Sequence, residues 1–132
     1  MKNRLLLIMA LAGLFTVQNT RTMEKIDETS ERIHQVLFQI DYSLLPTAEE
    51  KSVAQAHVRE FILLMDQYYT FLKKFFEWQD ITLPYDPTSD EATEWDQKKK
   101  SLRSKLCAKR NIIVAIINNI ETIKKAQQNA NR

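Results

Sequence analysis

The chain has one glycine, Gly13, in 132 residues. No later position reaches positive φ free of a Cβ penalty. Type I′ hairpins, phosphate-cradling loops and dinucleotide fingerprints depend on glycine. Its scarcity excludes nucleotide-binding folds and most β architectures. Cysteine is equally scarce. Cys107 stands alone, so no internal disulfide can form, and its size suits a small buried apolar side chain. Pairing between chains is the alternative for that thiol. The three prolines, Pro46, Pro84 and Pro87, fall between apolar-periodic stretches and act as punctuation. A charge excess is also missing: 19 Lys and Arg oppose 17 Asp and Glu, and two of the cations, Lys2 and Arg4, sit at the very start. A strongly basic nucleic-acid binder does not have this balance.

Long hydrophobic runs are absent too. Leu5 to Phe15 is apolar and uncharged, well short of the roughly 20 residues that a membrane-spanning helix needs. Lys2 and Arg4 precede the run, and Gln18, Asn19, Thr20 and Arg21 close it. A cationic start followed by a short apolar segment is the secretory signal pattern. Residues 1–20 are therefore read as a signal peptide. Its cleavage position is not marked, because Ala10-Leu11-Ala12 fits the small-x-small rule but leaves too short an apolar segment. Leu14 follows Leu11-Ala12-Gly13 where a lipoprotein would carry cysteine, which removes that anchor. The expected location is exported, periplasmic or extracellular. An uncleaved tether is the alternative, and the only expected route to a membrane.

What is present is helical periodicity. Residues 21–132 read as an all-α, antiparallel three-helix bundle with coiled-coil-like packing and helices at about 22–44, 47–80 and 88–128. In the first, Met23, Ile26, Ile33, Leu37, Ile40 and Leu44 recur at spacings of three and four, interrupted by Ser30. The second opens on Thr47-Ala-Glu-Glu50, a capping box just after Pro46. Its stripe of Ala54, Val58, Phe61, Met65, Tyr68, Leu72 and Phe75 is widened by further aromatics, which predicts a central helix. The third starts at Thr88 or Ser89, with Asp90, Glu91, Glu94 and Asp96 at its dipole-positive end. At ~1.5 Å per residue the lengths are about 35, 50 and 60 Å. A first helix folding straight back from Pro46 should run out near Tyr69. That would leave Phe71, Phe75, Phe76 and Trp78, together with Trp95, as an under-covered aromatic end. Aromatic rings at such a patch suit a protein partner or self-association.

Two further constellations stand out. Lys98, Lys99, Lys100, Arg103, Lys105, Lys109 and Arg110 form a basic stretch with no acid among them. Such a stretch could meet anionic lipid, nucleic acid or an acidic partner, although the cations spread round the helix. Glu31-x-x-His34 and His57-x-x-Glu60 mirror one another about the Leu45-Pro46 turn. A tight hairpin would place both pairs at one level, where imidazoles and carboxylates could bind a divalent metal. Glu31-x-x-His34 is similar to one element of the di-iron carboxylate bundles, but the second copy here is reversed. No catalytic group and no cofactor is expected. The expected function is a non-enzymatic interaction or structural module.

Overall fold

The computed structural model describes residues 23–82 and 84–131, so the signal reading of residues 1–20 lies outside the described part. Three helices pack together: α1 (Met23–Leu37), α2 (Ala48–Ile81) and α3 (Asp90–Ala130), with a short 3-10 turn at Tyr42–Leu44. Among the described residues there is no strand. None of their helices is long and apolar enough to cross a membrane.

Helix α2 is the spine, in contact with α1, α3 and the 3-10 turn. Its core stripe is the expected one. Ala54, Val58, Phe61, Met65, Tyr68, Leu72 and Phe75 are all buried, joined by Tyr69 and Phe76. All but Ala54 pack with Ile33 and Leu37 of α1 and with Leu106, Ile113 and Ile117 of α3. Burying each large apolar side chain contributes about 1.5–3 kcal/mol. The side chain of Thr47 accepts the Glu50 N–H at 3.0 Å, as the capping box requires. At α3 the capping residue is Ser89, which accepts from the Ala92 N–H at 3.2 Å. Thr88 is engaged elsewhere, since its N–H and hydroxyl both donate to Asp86.

The first helix departs from expectation. It ends at Leu37, and residues 38–47 run on without continuous helix. The Asp41 carboxylate accepts from the Ser43 N–H and hydroxyl, the local bonding by which such residues compete with helix. Pro46 then holds Leu45 in the extended region at φ −73°, ψ 135°. Leu45 packs on Ala54 and Ile120, with Leu44 beside them.

This extended link resets the register. Asp27 pairs with Lys73, and His34 with Asp66, so seven residues forward on α1 match seven back on α2. The same step brings Met23 level with Glu77, about one turn before the end of α2 at Ile81. The first helix is therefore shorter than the 22–44 span expected, yet reaches further. The expectation that it stops near Tyr69 is corrected, because extended chain covers over 3 Å per residue where helix covers 1.5 Å.

Candidate functional site

The aromatic end is closed rather than bare. Phe75 and Phe76 are 6% and 5% exposed, and Phe71, Trp78 and Trp95 are half-buried. Trp95, from the first turns of α3, lies 5.3 Å from Phe71, 5.9 Å from Phe75 and 5.6 Å from Trp78, centroid to centroid. Tyr85 of the proline loop sets its edge on Trp78 at 5.6 Å. Lys99 caps the Phe75 ring at 5.4 Å, a cation–π contact. Ile81, at the end of α2, is exposed, and Leu83 lies outside the described residues.

The two histidines do not meet. His34 Nε2 lies 3.2 Å from Asp66 of α2. His57 is nine residues earlier on that helix, or about 13 Å along its axis. Its Nδ1 accepts from Lys109 Nζ at 3.0 Å, and Lys109 also pairs with Glu60. Glu31 is exposed on α1. Glu31, His34, His57 and Glu60 thus belong to two levels. The new register breaks the mirror symmetry that the tight-hairpin reading assumed. Among the described residues no group of three or more His, Cys, Asp or Glu could hold a metal. The Lys109 hydrogen bond, then its charge and that of His57, hold the Glu60 carboxyl below its usual range.

The basic stretch is divided among separate contacts. Lys99 sits over Phe75, Lys100 pairs with Asp96 at 3.0 Å, Lys109 bridges to α2, and Arg110 donates to Asn111 at 3.3 Å. Arg103 is half-buried, while Lys98 and Lys105 are exposed. Cys107 is a half-buried free thiol.

A different surface draws several of these residues together. A hairpin of two helices has two grooves: on the side of one, α1 packs along α2, and the 3-10 turn of its link touches both α2 and α3. The other carries two open depressions. One, of about 600 Å³, is lined by Leu45, Glu49, Glu50, Val53, Ala54, His57, Ile112, Ala115, Ile116 and Asn119. The second, of about 470 Å³, is lined by Leu63, Asp66, Gln67, Thr70, Phe71, Lys74, Trp95 and Lys98. The Lys109 bridge to His57 and Glu60 joins the two helices between them.

Heptad spacing explains why these residues share a side. Val53, Glu60, Gln67 and Lys74 recur every seven residues on α2, as do Lys98, Lys105, Ile112 and Asn119 on α3. A seven-residue repeat holds one side of a packed helix along its whole length. Val53, Leu63 and Ile112 are 50%, 62% and 37% exposed on this face. Of the expected partner-binding residues, only Phe71 and Trp95 reach it. Val53, Leu63 and Ile112 escape a reading that follows the core stripe alone. For Val53 and Ile112 the signal is an apolar residue in a heptad row of mainly charged and amide side chains.

No family model, curated protein or solved structure matches this chain. Its functional reading rests on its own residues.

Proposed function

We propose that this chain is an exported, non-enzymatic protein-binding module. The seam behind its recognition face is packed in coiled-coil fashion, and the face itself is the open side of the α2–α3 hairpin. One observation carries this reading. Among the described residues, five large hydrophobics are exposed, and three of them, Val53, Leu63 and Ile112, lie on this one face. Apolar groups gathered on one face and flanked by polar groups are what an interface requires. The non-enzymatic reading is supported by the histidine contacts. Both imidazoles bond to other side chains, Asp66 and Lys109, and not to the Cys107 thiol. The cationic start and short apolar run of residues 1–20 support the export part of this reading.

The test is the size of the native assembly in extracts of the source cells. Leu63→Lys with Ile112→Lys should shift the tagged full-length protein to a smaller species. Phe38→Lys, at an exposed site beside Gln55 and Arg59 and off this face, should leave it unchanged. An assembly of unaltered size in the first pair would remove the face from consideration.

A further inference from the structure

We infer that the occupant of this face is a second copy of the chain, docked antiparallel about a twofold axis. The inference rests on the proposed face and adds the identity of its partner. A closed two-copy interface is isologous, so the surface must complement itself after reversal. This face is polar along its length in the required way. Glu49 and Glu50 mark one end, at the start of α2. Lys74 and Lys98 mark the other, with Lys105 next in the α3 row. Of the carboxylates near that end, Asp66 is engaged by His34, Glu94 stands against both lysines, and Glu77 and Glu91 lie nearer the loop than Lys74 and Lys98.

An antiparallel twofold sets Glu49 and Glu50 of each copy against Lys74 and Lys98 of the other. A parallel arrangement would set like charges together, which disfavours wrong pairings. The axis then passes midway between residues 50 and 74, beside Glu60, Leu63 and the Lys109 bridge. Each copy presents there both a cation and a carboxylate, together with exposed Leu63. Ala108, exposed on α3 one residue before Lys109, leaves room for close approach.

The size is sufficient. From Glu50 to Lys74 is about 36 Å along α2, and two helices side by side are about 20 Å across. That gives roughly 700 Å² per copy, close to the ~800 Å² per partner of a stable interface.

The experiment is sedimentation equilibrium of the purified full chain, supported by a charge swap. Wild type should be dimeric at micromolar concentrations. Glu49→Lys with Glu50→Lys, or Lys74→Glu with Lys98→Glu, should each weaken dimerisation about tenfold or more. All four substitutions together should restore it to within about threefold of wild type. Leu63→Lys changes an exposed position and gives a second disruption independent of the α2 N-terminus. Far-UV circular dichroism checks that every variant is helical. Swaps without effect, or a fourfold variant that stays weak, overturn the antiparallel dimer. A wild-type chain that stays monomeric also overturns it, and assigns the face to residues 1–22 or to a different protein. The size of the native assembly then still judges the binding-module reading, so the two can fail separately.

Discussion

Phe75→Ala tests whether the aromatic end is core or surface. The ring of Phe75 is walled by Phe71, Phe76, Trp78 and Trp95, with centroids between 5.7 and 6.3 Å away, and Lys99 lies over its face. Truncating a buried phenyl group to a methyl removes its transfer free energy and leaves a cavity, at about 3–5 kcal/mol. Four neighbouring rings lose a contact, and aromatic pairs contribute about 0.5–1.5 kcal/mol beyond area, so the upper half of that range is expected. Total stability for a domain is about 5–15 kcal/mol. At roughly 4 °C per kcal/mol for a chain of this size, Tm should fall by about 15–20 °C. Urea titration followed by tryptophan fluorescence reports directly on the site, because Trp78 and Trp95 are the only two tryptophans and both touch Phe75. The midpoint should drop with the m-value unchanged. Arg59→Ala, at an exposed position on the same helix and off the proposed interface, should stay within about 0.5 kcal/mol of wild type. A Phe75→Ala loss below about 1 kcal/mol would refute the enclosure argument and return this end to the status of an open patch.

Two further outcomes follow from the helix ends and the interhelical bridge. Thr47→Ala and Ser89→Ala each remove a side-chain cap from a helix N–H and should each cost about 1 kcal/mol in urea titrations. The two caps begin different helices, so the double variant should sum the losses to within about 0.5 kcal/mol. Lys109 holds the Glu60 carboxyl below its usual range in the folded chain. The resulting stabilisation is complete above the ordinary carboxylate pKa of about 4.3 and is lost as pH falls through the depressed folded value. Urea-derived stability measured from pH 7 down to pH 3 should therefore decline less steeply in Lys109→Met than in wild type, and equal slopes would contradict the bridge.

The helices and their inward stripes were legible because a 3.6-residue period needs only the chain's own spacing. The bounds of α2, the Thr47 cap and the buried series from Ala54 to Phe75 follow from that period. Register was not legible, because it depends on a connection. Periodicity continues through Ile40 and Leu44, so the first helix reads as unbroken to Leu44. The local bonding of Asp41 with Ser43 and the restraint of Pro46 on Leu45 outweigh it. Both a bare aromatic tip and a His34–His57 pairing depend on that one link. Each required the two helices to mirror about residue 45. Only the wide aromatic arc of α2 hinted that more than one neighbour would cover it.

The same link decides which face stays open. Residues 38–47 lie along the first turns of α2, and α1 continues from there to the level of Glu77. Together they cover that side of α2 along nearly its whole length. Had the chain turned tightly at Pro46, the helix would have covered the lower part of that groove and left its aromatic end open. Exposed apolar surface would then have been concentrated among Phe71, Phe75, Phe76 and Trp78. With the link extended, those rings are closed over by Trp95 and Tyr85. On the opposite side of the hairpin Val53 and Ile112 sit in rows with charged and amide side chains, and Leu63 is exposed beside them. Rows of that composition are soluble alone, because no two of the three hydrophobics are neighbours in the sequence. They offer area to a partner only when presented side by side on paired helices. The Lys109 bridge to His57 and Glu60 holds α2 against α3 at the middle of this face, so its removal should loosen the surface before it loosens the core.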